Sequence, residues 1–460
     1  MAELAGQLAQ IVAAKQTELA ERFDGVQLDA LRSQATPARR SLSAAMAKAG
    51  GRFIFEIKKA SPSAGPIRTN ADAASIATSY EGVADALSVL TDSRFFGGSI
   101  ADLAAARKAF AGPILAKDFF LDLRQVAEAR IAGADAILVM LSVLDDRRAA
   151  GMIEEAGRLG MEALVEVHDK AEMQRALALG ASLIGINNRD LRDLSIDLRT
   201  TERLAPIAGN RLLVAESGIG NRADVDRLAG LVDGFLVGSA LMRAERPAEA
   251  ARALAFGRVK LCGLRCGADL AAGRPAAFAG FVFAAGSPRL ITTDEASPLA
   301  GLARSQGQLP VGIFRGAAPE EVARTAGVMN LHAVQIHGGI DVAYLRRRLP
   351  AHCEIWTALA VGRDPLHATG GDRLLFDSGD GGTGRSFNWS LVRNHPALAQ
   401  SLVAGGIGPG NARLAQSLGA YAIDVGSAVD EVPGVKSPAK IASLFEALRP
   451  ASRAELRQCA

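Results

Sequence analysis

The run Phe53-Ile54-Phe55-Glu56-Ile57-Lys58-Lys59-Ala60-Ser61-Pro62-Ser63 begins as an apolar strand and ends in a turn. Between the two sit one carboxylate and two ammonium groups. Glu56 and Lys58 are two residues apart, so on a strand they point to the same side. Charge inside a strand is costly unless the groups are paired or working. Lys59 faces the other way, and Ser61-Pro62-Ser63 forces the chain out of the sheet. A lone Glu-x-Lys at a strand end is usually a surface ion pair. Here the strand is apolar and polar strand ends recur downstream, so the stretch reads as part of a site.

Working outward, 460 residues suggest two or three domains. Apolar residues make up 49% and charged residues 22%, as in a globular protein that is not disordered. A net charge of +3 is too small to argue for nucleic acid or an anionic membrane. The start, Met1-Ala2-Glu3-Leu4-Ala5-Gly6, lacks the form of a secretory signal, and no stretch has the length of a membrane span. The four cysteines, Cys262, Cys266, Cys353 and Cys459, make no disulfide framework, so a reducing cytoplasm is expected.

Residues 1 to 48 read as helical and Ala-rich. Short apolar strands then alternate with amphipathic segments: Phe53–Lys58, Ala86–Thr91, Ile114–Lys117, Ala136–Met140, Ala163–Val167, Leu183–Asn187, Leu212–Glu216 and Gly234–Val237. Eight strands in about 240 residues fit a (β/α)8 barrel, in which working residues sit where strands end. A doubly wound open sheet is the alternative, disfavoured because no G-x-G-x-x-G follows the first strand. The strand ends carry Lys58, Lys117-Asp118, Glu166, Asn187-Asn188-Arg189-Asp190, Glu216-Ser217-Gly218 and Gly238-Ser239. One such residue is ordinarily a solvated loop residue; this many at one mouth read as a site. Ser217-Gly218 and Gly238-Ser239 let backbone N–H groups approach an anion, with a following helix adding its dipole, so they are expected to cradle phosphate.

After an Ala-rich helix a second series begins without a long linker: Arg258–Leu264, Gly280–Phe283, Val311–Phe314, Ala333–His337, Glu354–Thr357, Arg373–Asp377, Leu402–Ala404 and Ala422–Val425. The fold class is therefore α/β, two consecutive (β/α)8 barrels divided at 256/257, the first with an N-terminal helical extension. The halves share a detail. Val214-Ala215-Glu216-Ser217-Gly218-Ile219-Gly220 matches Val403-Ala404-Gly405-Gly406-Ile407-Gly408, and Val237-Gly238-Ser239 matches Val425-Gly426-Ser427. Gly218 to Gly238 and Gly406 to Gly426 are both 20 residues, as for one phosphate-binding unit present twice. Polar strand ends here are Cys262, Arg289, His337 and Asp377, with a loop at Gly381–Phe387. A thiol and a carboxyl facing a sugar would make an acid–base pair. Cys262 and Cys266 lack a second pair of ligands for zinc, and a lone cysteine is more often a small buried residue. His168, His332, His352, His367 and His395 read as structural or exposed, and Trp356 and Trp389 as packing residues.

These motifs resemble two families. Residues 1–250 are similar to indole-3-glycerol-phosphate synthase, through Glu56–Ser63, Lys117-Asp118-Phe119, Val165-Glu166-Val167-His168, Gly185–Leu191 and Glu216-Ser217-Gly218-Ile219. Residues 257–450 are similar to phosphoribosylanthranilate isomerase, through Lys260–Leu264, Ser287-Pro288-Arg289, Gln335-Ile336-His337-Gly338, Phe376-Asp377-Ser378, Gly381-Gly382-Thr383-Gly384 and Ala404-Gly405-Gly406-Ile407. Together they resemble the fused bifunctional enzyme of tryptophan biosynthesis. One departure is Ile313-Phe314-Arg315-Gly316, where the isomerase family often has V-F-V-N.

The resemblance implies an Amadori rearrangement of N-(5′-phosphoribosyl)anthranilate in the second half, with Asp377 as acid, Cys262 as base, Arg289 and His337 as substrate ligands, and Gly405, Gly406, Gly426 and Ser427 at the phosphate. It implies decarboxylating ring closure to indole-3-glycerol phosphate in the first half. There Lys117, with a lowered pKa, is the acid and Glu166 its proton-transfer partner. Glu56 and Lys58 tune charge, Asn187 orients the intermediate, and Ser61, Arg189, Glu216, Ser217, Gly218, Gly238 and Ser239 bind substrate or phosphate. No metal or organic cofactor is expected. The partners are small phosphosugars, with no nucleic acid and no membrane, and the chain is expected to be monomeric. Two alternatives keep the scaffold: one half is a non-catalytic partner domain, or the barrels serve another phosphosugar reaction.

Overall fold

The strand–helix alternation closes into two separate parallel barrels. The computed structural model describes residues 6–190, 193–366, 370–379 and 385–458. Leu191, His367, Cys459 and the run Gly381–Gly384 lie outside the described residues.

The first barrel consists of β1 (Arg52–Ile57), β2 (Ala86–Leu90), β3 (Ile114–Lys117), β4 (Ala136–Met140), β5 (Glu162–Val167), β6 (Leu183–Asn187), β7 (Leu212–Glu216) and β8 (Gly234–Val237). Neighbours in sequence are neighbours in the sheet, and β1 pairs with β8 to close it. Side-chain alternation sorts the opening stretch. Phe53 and Phe55 point outward to aromatic partners, Phe235 at 5.4 Å and Tyr80 at 5.2 Å, while Glu56 turns into the mouth. Lys59, as expected, turns away from the mouth and pairs with Asp102 at 2.8 Å.

Helix α1 (Gly6–Arg22) buries Leu8, Ile11, Val12, Lys15 and Leu19, a single stripe at helical spacing with one cation in it. Lys15 is 1% exposed and pairs with Glu18 (2.8 Å), Asp92 (2.9 Å) and Asp118 (3.1 Å).

The second barrel consists of β9 (Val259–Cys262), β10 (Phe278–Val282), β11 (Leu309–Arg315), β12 (Ala333–His337), β13 (Glu354–Ala360), β14 (Arg373–Asp377), β15 (Leu402–Val403) and β16 (Ala422–Val425), again in sequence order and closed by β9 against β16. Its core includes Phe278 edge-on to Trp356 at 5.2 Å, so Trp356 is a packing residue. All sixteen expected strands are present, with ends shifted by a few residues.

By contacts the chain divides into Met1–Ala251 with Pro450–Ala460, and Arg252–Arg449. The end of the chain thus differs from the sequence reading, which gave 450–460 to the second half. The cause is backbone pairing: Gly51 N–H donates to Pro450 O (2.7 Å), Gly230 N–H to Ala451 O (3.1 Å) and Arg453 N–H to Val232 O (3.1 Å). Arg453 Nη2 adds a bond to Ala205 O (2.8 Å).

Candidate active sites

In the first barrel the predicted residues meet at one cavity of about 340 Å³. Glu56, Lys58, Ser61, Lys117, Glu166, Asn187, Arg189, Glu216, Ser217, Gly218, Gly238 and Ser239 all line it. At its centre Lys117 Nζ donates to Glu166 Oε2 (3.1 Å) and Glu216 Oε2 (2.9 Å). Lys58 pairs with Glu56 at 2.7 Å. Burial works against the Lys117 charge, but Glu166, Glu216 and, further off, Glu56 outweigh it and hold the ammonium above the ordinary lysine range. This corrects the expected lowered pKa: two carboxylates clamp a cation that burial alone would neutralise. The carboxylates diverge. Burial pushes Glu216 up to about 7. Glu166 feels the same burial but faces Lys117 and His168, and stays below the usual carboxylate range.

Two inward carboxylates depend on glycines that the sequence reading did not connect to them. A Cβ on Gly185 would collide with Glu216 Oε1, and one on Gly238 with the carboxylate of Glu56. Also missed were Leu8 and Ile11 of α1, which form part of the wall, and Arg243, beside the cradle. Asn188 ties the neighbouring loops, donating to Glu216 O (3.0 Å) and accepting from Thr201 Oγ1 (2.8 Å). His168, read as structural or exposed, is mostly buried and lies 3.4 Å from Glu166.

The second barrel gathers Cys262, Arg289, His337, Asp377, Gly405, Gly406, Gly426 and Ser427 around a cavity of about 290 Å³. Burial raises both Cys262 and Asp377, Lys260 opposing it at each. Lys260, fully buried, pairs with Asp424 at 2.8 Å beneath the thiol. Burial, then Lys260 and Arg315, lowers His337 to about 4, and Gln335 Nε2 lies 2.8 Å from its Nε2. A neutral imidazole accepting from that amide fits both facts. Arg289 is already engaged: its Nε and Nη2 donate to Asp430 Oδ2 at 3.0 and 2.6 Å.

The sequence repeat has a backbone counterpart. Ser217-Gly218 and Gly405-Gly406 each place two successive residues at positive φ (62° and 82°; 86° and 63°). Gly238 and Gly426 share φ near −125° (−125° and −124°). Both stretches are therefore left-handed bends at the same place in each barrel. The expected helix dipole is small, since the following elements are only Ser239–Arg243 and the 3-10 turn Ser427–Val429. Among the described residues no group of three or more His, Cys, Asp or Glu is placed to hold a metal, and no helix is long and apolar enough to cross a membrane.

Residues 8–254 match the family model for indole-3-glycerol phosphate synthase, and residues 259–447 that for N-(5′-phosphoribosyl)anthranilate isomerase. The tryptophan biosynthesis protein TrpCF of Yersinia pestis is 42% identical over 450 residues, covering 96% of this chain and 94% of its own. That of Salmonella typhi is 40% identical over 453 residues, covering 96% and 99%. A solved phosphoribosyl anthranilate isomerase from Thermus thermophilus is 32% identical, with a TM-score of 0.38, covering 44% of this chain and 100% of its own. With two consecutive family matches and relatives spanning nearly its whole length, the chain belongs to the bifunctional family that joins indole-3-glycerol-phosphate synthase to phosphoribosylanthranilate isomerase in tryptophan biosynthesis.

Proposed function

We propose that the two mouths are separate active sites and that the proton work of the enzyme's two reactions divides among the residues as follows. In the isomerase barrel Asp377 protonates the ribose ring oxygen and Cys262 removes the C2 proton. Burial keeps Asp377 protonated to higher pH than an ordinary aspartate, which suits an acid. Burial raises Cys262, and the Lys260 charge beneath it works the other way, toward the thiolate that a base requires. Arg289 and His337 face the anthranilate end, and Gly405, Gly406, Gly426 and Ser427 hold the phosphate.

In the synthase barrel Lys117 protonates the closing carbonyl and Glu166 takes part in proton transfer and dehydration. Glu56 and Lys58 set the charge, Asn187 orients the intermediate, and Glu216 shares the Lys117 proton. Ser61, Ser217, Gly218, Gly238 and Ser239 bind the phosphate, with Arg189 and Arg243 beside them. The domains divide within the helix Pro247–Phe256, and the enzyme works as a cytoplasmic monomer on small phosphosugars.

The observation that carries this reading is Lys117 held between Glu166 and Glu216 in the same cavity as a left-handed Ser217-Gly218 bend. The test feeds each substrate separately and follows fluorescence of the anthranilate or indole compound. Asp377→Ala removes only the isomerase reaction and Lys117→Ala only the synthase reaction. One change that removed both would overturn the two-site reading.

A further inference from the structure

Lys117 sits almost evenly between two carboxylates, 3.1 Å from Glu166 and 2.9 Å from Glu216. Nothing in that clamp itself decides which carboxylate stays an anion and which carries a proton. The decision lies one layer behind. We propose that His168 is a positioning residue of the synthase reaction, whose imidazolium, held between Glu166 and Glu172, makes Glu166 the fixed anion of the clamp and leaves Glu216 as the carboxylate that takes up a proton.

The geometry is specific. His168 follows β5 directly, two residues beyond Glu166, so both side chains lie on the same side of the strand line. Its Nε2 is 3.4 Å from Glu166 Oε1, the oxygen not used by Lys117. Both atoms are buried and neither has a well-aligned hydrogen-bond partner among the described residues. Each is therefore the other's available partner, at ion-pair distance. On the far side of the ring Nδ1 is 3.0 Å from Glu172 Oε2, which also accepts the His168 backbone N–H at 2.8 Å. Glu172 lies in the first turn of the helix Lys170–Ala178 and its side chain is 14% exposed, so the row Glu166–His168–Glu172 leads from the cavity outward.

Glu216 lacks any such support. Its Oε1 is buried without a hydrogen-bond partner among the described residues and is packed against Gly185. The charged groups that act on it are Lys117, Glu166 and Glu56, two of them anions. Glu166 shares Lys117 and the mutual repulsion with Glu216, and differs in facing a second cation, His168, which is itself held by Glu166 and Glu172. The two glutamates outweigh burial and raise His168 to about 10, so the ring is charged across the physiological range. No bond to His168 forms or breaks in the cycle; it acts through the charge and aim of Glu166.

The inference rests on the reading that Glu166 works on the synthase substrate, and one experiment separates the two. Synthase kcat and KM are measured against pH in the full-length enzyme for His168→Asn, Glu172→Gln, Glu166→Gln and the Glu166→Gln/His168→Asn double variant. For His168→Asn, kcat falls at least about tenfold while KM stays within about twofold, which also reports a folded site. The neutral limb of its kcat profile moves by about one pH unit, because the two carboxylates become alike. Glu172→Gln gives the same shift in smaller degree, and the double variant loses no more than Glu166→Gln alone. A His168→Asn profile that overlays the wild type would overturn the proposal, as would a loss additive to that of Glu166→Gln. Full synthase activity in Glu166→Gln would instead overturn the reading of Glu166.

Discussion

Lys15 and Asp118 form an ion pair of 3.1 Å, Nζ to Oδ1, that binds the first helix of the chain to the residue next to Lys117. Asp92 completes it at 2.9 Å, and Thr91 Oγ1 donates to Asp118 Oδ2 at 2.7 Å. The same helix presents Leu8 and Ile11 to the synthase cavity. Lys15→Met keeps the length of the side chain but leaves two carboxylates buried without their cation. Breaking a buried pair in this way costs about 3–5 kcal/mol. The expected outcome is a lower denaturant midpoint for the first unit and a raised synthase KM, with isomerase kinetics unchanged. The deficit shrinks as the pH is lowered, since protonation removes the unpaired charges. A variant equally stable at every pH would show that the pair does not hold the helix.

Glu216 makes stability depend on pH in the less common direction. Its ordinary value of 4.5 is raised by burial to about 7. Between those limits the folded chain keeps a proton that the unfolded chain has released. Stability from this site therefore falls as pH rises through that window, by at most about 1.4 kcal/mol per unit, and is level outside it. Glu166, held low, has the opposite effect: its contribution is present above the ordinary value and lost below it. Urea midpoints of wild type and Glu216→Gln across pH 4 to 8 separate the two. The variant is expected to lose the slope above the ordinary value and keep the acid-side loss.

Gly238 and Gly426 occupy equivalent places in the two barrels but leave different amounts of room. A Cβ on Gly238 would stand 3.0 Å from both Cβ and Cδ of Glu56, whereas one on Gly426 first meets Cys262 Cβ at 3.8 Å. Gly238→Ala must push Glu56 off Lys58, at a cost of about 1–3 kcal/mol from overpacking. Gly426→Ala is expected to fold with wild-type stability and to lose affinity for the isomerase substrate, because the methyl group enters the cradle. Thermal unfolding and the two KM values check the pair; equal destabilisation by both changes would contradict it.

Much of this was legible in the chain itself. Glu56 and Lys58 two apart on an apolar strand, and glycine pairs separated by the same interval in both halves, placed the strands, the mouths and the cradles. What stayed hidden was contact across long sequence distances. Nothing near Gly185 announces that Glu216 needs its missing side chain, and no local pattern carries Arg453 to Ala205. Nothing local marks Lys15 as buried, because its partners, Asp92 and Asp118, lie on other elements. The pKa of Lys117 went the wrong way because burial can be read from an apolar strand, whereas the direct contact of its Nζ with both Glu166 and Glu216 cannot.

Asp430 stands between two cations in the isomerase barrel, as Lys117 stands between two carboxylates in the synthase barrel. Its Oδ2 accepts from Arg289 Nε and Nη2 at 3.0 and 2.6 Å, and its Oδ1 from Lys436 Nζ at 2.6 Å. Lys436 also donates to Gly426 O at 2.9 Å, so one carboxylate links Arg289 to the glycine bend at Gly426. Asp430→Asn leaves two buried cations facing a neutral amide. The barrel is expected to lose about 3–5 kcal/mol, and Arg289 to lose its aim. Isomerase KM should rise more than kcat falls if, as proposed, Arg289 and Gly426 bind substrate, since Cys262 and Asp377 are untouched. Synthase kinetics of the same variant serve as the internal reference. A drop in isomerase kcat with KM preserved would mean that Asp430 acts on the proton transfers, through the Lys436 charge near Cys262, and would refute the positioning role given to it here.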